Sequence, residues 1–488
     1  MSTGCLVGPD YQAPEVNAPP AWKQMEDPAL VTGQAELTTW WTVFHDDTLT
    51  SLIEQAAREN LDLKTAVARV REARARLGVA RGYLYPSLDA AGSVEENRNS
   101  ENYGSPAGAR FTAYQAGLDA SWEIDLFGRV RRSVEAAQDD LQTSVEDRRD
   151  AQVSLFAEVA NTYLSLRTAQ ARLASAFGNI KSQMGALQLT RDRFKAGLAT
   201  DLDVAQAERI LASTEAEVPP LRITVTQSIN ALAVLLGTVP SRIFDQLVIP
   251  QDIPAPPTRV MVGVPTDLLR QRPDIRSAER QLAAQTARIG IATADLYPTF
   301  SLLGNFGFST TNSANWFDWS SRAYGIGPSF SWNIFSAGRI RAQIKVQDAL
   351  TEQALYYYEK TILTAISEVE SALAGFTGQK EREKALGVSV EAAKRSVELS
   401  MQLYRDGLTD FQTVLDSQRD LFNFEDQLAQ ARGAASSNLV SLYKALGGGW
   451  NPALNEAVPF EPAPAPAPTG QAAQETPLFR AVPAAAQN

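Results

Sequence analysis

The chain has 488 residues, 21 % of them charged, a net charge of −11, one cysteine and one histidine. Counting argues against disulfides, thiolate metal cages and histidine-based catalytic triads, and the acidic balance against a phosphate-binding surface, so no enzyme activity, metal site or nucleic-acid partner is expected. No run of 18 apolar residues exists, which excludes a transmembrane helix but leaves open a membrane β-barrel, whose strands are short and alternating.

Residues 1–44 are rich in proline and polar side chains without a period and are expected to be an extended N-terminal segment. Phe44-His45-Asp46-Asp47 follows; a lone histidine beside acids reads as a surface or helix-capping residue, and no metal site is expected there.

From about residue 45 the chain repeats itself roughly 210 positions later. Ala75 to Ala80 with Leu84-Tyr85-Pro86 returns as Ala287 to Ala292 with Leu296-Tyr297-Pro298, and Trp122 to Arg131 returns as Trp332 to Arg341. Phe194 to Leu198 is echoed by Tyr404 to Leu408, and Leu236-Gly237 by Leu446-Gly447. Four matched blocks in order make one supersecondary unit used twice, 45–240 and 265–450, joined by a linker at 241–264.

In each unit the first distinctive signal is strict alternation. Tyr114, Ala116, Leu118, Ala120 and Trp122 alternate with Gln115, Gly117, Asp119 and Ser121, and Phe306 and Phe308 with Asn305 and Gly307. Period two predicts strands at 87–99, 110–125, 298–311 and 322–335, each with one apolar and one polar face. Four strands long enough to cross a bilayer cannot close a barrel, and an open edge cannot stand in lipid, so membrane insertion would require sharing the barrel between copies. The same alternation also occurs in soluble α+β proteins. Trp316, Phe317 and Trp319, between the third and fourth strands, suit either a loop at the lipid interface, where amphipathic rings prefer to sit, or a packed loop core.

Two long windows without proline follow, from Pro106 to Pro219 and from Pro328 to Pro452. Leu155, Val159, Thr162, Leu166, Ala169, Leu173, Ala176 and Ile180 recur at spacings of four and three, as do Ile362, Ile366, Val369, Leu373 and Phe376 and then Leu386, Val390, Ala393, Val397, Ser400 and Tyr404. These are heptad seams, each demanding a neighbouring helix along its length. Each seam breaks at a glycine, which predicts helical hairpins over 129–238 and 338–447 with tips near Gly197 and Gly407. The tail, 451–488, runs through alternating Pro and Ala and is expected to be disordered.

Taken together, these residues resemble the TolC-type outer-membrane efflux channels, and specifically the lipoprotein branch that includes OprM and NodT. The most specific marks are Cys5 with Gly8-Pro9-Asp10-Tyr11 and Pro14; Val264-Pro265, Leu268-Leu269, Arg272-Pro273-Asp274-Ile275 and Glu279; and Gly407 with Leu415-Asp416 and Gln418-Arg419. The resemblance covers Cys5 to about Trp450. It implies an α+β membrane protein, a homotrimer in the outer membrane of a Gram-negative bacterium with a shared twelve-strand barrel, a long helical tunnel through the periplasm, and partnership with a periplasmic adaptor and an inner-membrane pump. The tips near Gly197 and Gly407 would meet those partners.

The same likeness assigns roles to single residues. Asp416, Thr413 and Gln412 fall where family members narrow the tunnel, and three Asp416 carboxylates would form an acidic ring, although Gln412 stands where leucine is common. Asp203 and Tyr404 match positions that tie neighbouring helices shut, yet the expected arginine partner is Thr409 here. Cys5 matches the acylated residue of the lipoprotein branch, a covalent lipid being the one attachment expected and no other cofactor. Only Met1-Ser2-Thr3-Gly4 precede it, without an apolar h-region, so the expectation is either an export signal removed or replaced or a misassigned start. The function implied is a passive exit duct of a tripartite efflux system driven by a proton-powered pump. Two alternatives remain at this stage: the outer-membrane channel of an ATP-driven or type I secretion system, and a soluble coiled-coil scaffold or adaptor.

Overall fold

A computed structural model describes residues 6–16, 19–25, 30–33, 36–102, 106–266 and 271–450. Cys5, Leu268-Leu269 and the tail from 451 onward lie outside them.

The N-terminal segment contributes strand β1 (Leu30–Thr32) and a short 3-10 helix over Trp40–Phe44. It is more than an extended lead-in: Trp40, Trp41 and Phe44 are buried, and Trp40 stacks on Tyr443 at 5.5 Å between ring centres. Aromatic rings cover large areas without any periodicity, which is why the pattern of the sequence does not reveal them. Helices α1 (Asp47–Glu59) and α2 (Leu61–Gly82) follow, capped by Asp46 and Asn60, whose side chains accept from Leu49 and Leu63 N–H. His45 is exposed in a left-handed conformation just before the first cap.

Strands β2 (Ser87–Arg98) and β3 (Arg110–Ile124) lead into α3 (Arg129–Lys195), whose 67 residues make it about 100 Å long. The return arm of this hairpin is not continuous. It runs as α4 (Asp201–Ala216) and α5 (Val218–Leu235), because Pro219-Pro220 lack the amide hydrogens that would carry one helix into the next. The linker then folds as α6 (Pro240–Leu247) and β4 (Val260–Val262), which pairs in parallel with β1.

The second unit repeats the plan: α7 (Pro273–Ala294), β5 (Thr299–Thr310), β6 (Arg322–Ser331), α8 (Arg339–Arg405) and α9 (Phe411–Ala445). Here the return arm is one unbroken helix, with Ala429 and Gln430 standing where the first unit has its prolines. β6 ends at Ser331, short of the expected 335, because β5 has no residue beyond Thr299 for it to pair with.

The four long strands form one antiparallel sheet in the order β2-β3-β5-β6. The units join at β3 and β5, where Gly117 lies opposite Gly307 and a Cβ on Gly307 would stand 2.6 Å from the Ala116 carbonyl oxygen. In this register Leu118 faces Phe306, Trp122 faces Leu302 and Ile124 faces Phe300, while Asp119 faces Asn305 on the opposite side. Trp122 and Trp332 each donate their indole N–H over 3.0 Å, to the carbonyls of Leu84 and Leu296, so the duplication extends to single hydrogen bonds. The largest core lies below the sheet, where α1, α3, α5, α8, α9 and the linker converge. A smaller one, of Leu187, Ile210, Tyr404, Phe411, Val414 and Leu415, fills the tips of the hairpins.

Candidate functional site

Both hairpins turn in the same way. Gly197 and Gly407 each have φ of +75°, a region open to glycine at no steric cost, and each closes a Schellman motif. Leu198 N–H reaches the Arg193 carbonyl and Leu408 N–H the Leu403 carbonyl, both at 2.8 Å. The turns push one leucine each into solvent, Leu198 at 66 % and Leu408 at 74 % exposure. The Gly-Leu dipeptide shared by the two repeats is the sequence signal for this pair.

The caps that restart the chain are chemically inverted. In the first tip, Thr200 caps α4 by accepting from Asp203 N–H at 3.2 Å, and Asp203 returns a carboxylate to Thr200 N–H and hydroxyl, both at 2.8 Å. In the second, Asp410 caps α9, accepting from Thr413 N–H at 3.0 Å and its hydroxyl at 2.7 Å. These bonds hold the Asp410 carboxyl below the usual carboxylate range, the Thr413 hydroxyl being the larger cause.

The expected gate residues therefore divide. Gln412 and Asp416 share one face of α9, Gln412 Nε2 donating to Asp416 Oδ1 at 3.2 Å, while Phe411, Val414, Leu415 and Gln418 turn to the core. Thr413 is occupied by the cap. Asp416 also carries an ion pair to Arg419 at 3.1 Å, a partner that pattern reading missed although it lies one helical turn away. Asp203 and Tyr404 are not joined by a hydrogen bond among the described residues. Asp203 serves its own cap, whereas Tyr404 is 4 % exposed, packs on Phe411 at 5.0 Å, and lies under the Arg193 guanidinium at 4.7 Å.

At the other end of α3 the chain following Cys5 is fastened beside the sheet. Val7 N–H meets the Phe127 carbonyl at 3.2 Å, and buried Arg132 donates to the Val7 carbonyl at 3.3 Å and the Asp10 carboxylate at 2.7 Å. Gly8 is packed so closely on Gly290 that a Cβ would come within 2.5 Å of its Cα. The Gly8-Pro9-Asp10 mark thus has a packing reason. So has Arg272, which donates to Asp274 and Glu368 and to the Ala445 carbonyl, tying α7 to both α8 and α9. The Trp316 loop lies at the far end of the sheet, with Trp316 against Tyr114 at 5.1 Å and Phe317 and Trp319 exposed. Among the described residues no group of acids, histidines or cysteines is placed to hold a metal, and no helix is long and apolar enough to cross a membrane.

The family model described as outer membrane efflux protein matches residues 52–238 and 264–448, which are the two repeats. The chain belongs to that family. Among outer membrane efflux proteins it is similar to nodulation protein T of Rhizobium leguminosarum bv. trifolii, 31 % identical over 93 % of this chain and 96 % of that one. It is also similar to the antibiotic efflux pump outer membrane protein ArpC of Pseudomonas putida, 34 % identical over 92 % and 93 %. Of solved structures, the outer-membrane channel OprN superposes with a TM-score of 0.86 at 36 % identity, over 91 % of this chain and all of that one. The open-state MtrE channel of Neisseria gonorrhoeae gives 0.78 at 28 % identity, over 92 % and 99 %. The fold is therefore TolC-like, and the protein is an outer-membrane efflux protein.

Proposed function

We propose that this chain is the exit duct of a tripartite efflux system: a homotrimer whose sheets close a twelve-strand barrel in the outer membrane and whose hairpins form a tunnel through the periplasm. The observation that carries this reading is the sheet. Its apolar face is bare, with Ile326 at 80 % and Phe330 at 69 % exposure, and β2 and β6 have unpaired outer edges among the described residues. Lipid accepts the first and forbids the second, so the edges must be closed by copies. A twelve-residue strand spans about 40 Å, which at a tilt near 40° crosses about 30 Å of hydrocarbon.

The helices support the same count. α7 is packed between α3 and α8, whereas α2, its counterpart in the first unit, has α3 as its one extended partner among the described residues. On α3, Asp140, Glu146 and Asp147 meet α7 through Arg288, Arg276 and Ser277. The matching positions on α8 are Leu350, Tyr356 and Tyr357, all exposed. An apolar face on α8 and an unaccompanied α2 complement each other between neighbouring copies.

In this reading Leu198 and Leu408 meet a periplasmic adaptor and an inner-membrane pump, Asp416 with Gln412 lines the narrowest ring, and a lipid on Cys5 adds a second attachment beside the barrel. Passage is passive, the pump supplying the energy. The test is the native mass of detergent-extracted, full-length protein: about three times the 53.0 kDa chain is expected. A monomer that stays in solution without detergent overturns both the barrel and the duct.

A further inference from the structure

The last residues before the tail, Gly447 to Trp450, are held by parts of the molecule far apart in sequence. Gly448 N–H closes on the Tyr443 carbonyl, and Gly449 N–H donates to the Leu37 carbonyl of the N-terminal segment, both at 2.8 Å. The Gly449 carbonyl accepts from Gln152 Nε2 on α3, also at 2.8 Å. Gly449 has φ of +107°, and a Cβ there would stand 3.0 Å from the Phe156 ring, so the slot is shaped for glycine twice over. Trp450 then donates its indole N–H to the Gln271 carbonyl, just before α7, at 3.1 Å.

Two guanidiniums share that indole. Arg149 of α3 lies 4.6 Å and Arg276 of α7 5.3 Å from its ring centre. Both also pair with one oxygen, Glu146 Oε1, at 2.8 and 2.9 Å, while Glu146 Oε2 has no hydrogen-bond partner in the protein. Two positive charges thus divide one carboxylate between them, and the electron-rich face of the indole offsets part of the remainder. Trp450 is 6 % exposed, and Arg149 and Glu146 are buried, so water screens this seat little. The first unit has no such ending. Pro240 stands where the second unit has Trp450, Thr238 and Val239 stand for Gly448 and Gly449, and the chain runs on into α6.

We propose that Gly447–Trp450 is a latch that closes the body of the protein. It joins the N-terminal segment, α3 and the start of α7 through the end of α9, and the two-arginine seat of the Trp450 indole holds it shut. The latch is made of contacts within one chain, away from the hairpin tips, and is independent of the duct reading.

Hydrogen exchange of the full-length protein in detergent tests it, because the latched segments can be compared with the hairpin tips in the same molecule. Trp450→Ala should speed exchange about tenfold at three places remote in sequence, 42–45, 276–279 and 448–449, and leave the tip amides at 405–409 at the parent rate. Trp450→Phe keeps a ring but has no N–H and a weaker face for cations, so the same three segments should exchange about threefold faster. Arg149→Gln leaves Glu146 its bond to Arg276 and should act on those segments too; combined with Trp450→Phe it should do less than the product of the separate effects. Faster exchange confined to 448–449 overturns the latch, and so does an equal rise at the tips, which would make Trp450 a support of the whole fold. A Trp450→Phe that matches the parent, or effects that simply multiply with those of Arg149→Gln, overturns the arginine seat. Should Trp450→Ala not fold, the pattern in Trp450→Phe decides on the same terms.

Discussion

The two repeats meet their own ends differently, and the difference shows what duplication preserves. In the first, Asn60 caps α2 and donates its amide to the Leu235 carbonyl at 2.9 Å, beside Gly237, where a Cβ would stand 2.5 Å from the Glu59 carbonyl oxygen. In the second, Arg272 occupies the matching place and donates to the Ala445 carbonyl at 2.9 Å, beside Gly447, where a Cβ would meet the Arg272 Cα at 3.1 Å. The bond to the end of the return helix is kept; the residue that makes it is not. Asparagine stops there, whereas arginine extends to Glu368 on α8, 2.7 Å away. The joint is the same in both repeats, and only the longer side chain reaches the long helix of its own unit, where Glu368 on α8 corresponds to Glu158 on α3.

The largest effect expected from this contrast is at Arg272. Arg272→Ala leaves the Ala445 carbonyl, the partly buried Asp274 and the half-exposed Glu368 without their shared donor and should cost about 2–3 kcal/mol, read as a fall in the unfolding temperature in detergent. Asn60→Ala removes one cap and one bond and should cost about 1–2 kcal/mol. Equal losses would mean that the reach to Glu368 contributes nothing and that the two joints are equivalent.

Much of this was legible in advance. The repeat, the four strands and the glycine turns follow from period, proline placement and left-handed glycine, all properties of neighbouring residues. What escaped depends on contacts distant along the chain. Trp40 buries itself against Tyr443, and Arg193 settles on Tyr404. Asp203 illustrates the ambiguity of one motif: Thr-x-x-Asp after a turn is also a capping box, and locally the cap is formed.

A second contrast lies along the long helices. α3 carries Asp139 and Asp150 toward α7, where the matching positions on α8 are Ala349 and Lys360. Burial pushes both carboxyls up to about 6; for Asp150 the nearby Asp274 adds to this, and Arg272 and Lys444 oppose it. A carboxyl whose folded value lies above its unfolded one favours the folded state fully below pH 4 and loses that contribution as pH rises through about 6. Asp150→Asn should therefore stabilise the protein at pH 7.5, by on the order of 1–2 kcal/mol after allowing for residual solvent screening, and the gain should shrink toward pH 5. A variant whose advantage is the same at both pH values would remove Asp150 as its cause and point to packing instead.

The smallest effect discriminates the two tips. Thr200 and Asp410 perform the same capping task, but the acceptor of the first is a hydroxyl, which does not titrate, and that of the second is a carboxylate held below its ordinary value by Thr413. A depressed folded pKa means that the stabilising contribution is present above the unfolded value near 4 and is lost as pH falls through the lower, folded one. Thr200→Ala should loosen the first tip by about 1 kcal/mol at neutral pH. Asp410→Ala should loosen the second at neutral pH and lose its effect in acid, where the parent cap is itself protonated. Amide exchange at 201–204 and 411–414, followed from pH 7 down to about pH 2 with the intrinsic rates removed, separates these behaviours. Acid should open the second tip before it reaches the Thr200 hydroxyl bond of the first, so the inverted caps would give one fold two tips of unequal acid tolerance. Equal loss of protection at both would show that the Asp203 carboxylate, and not the Thr200 hydroxyl, governs the first cap.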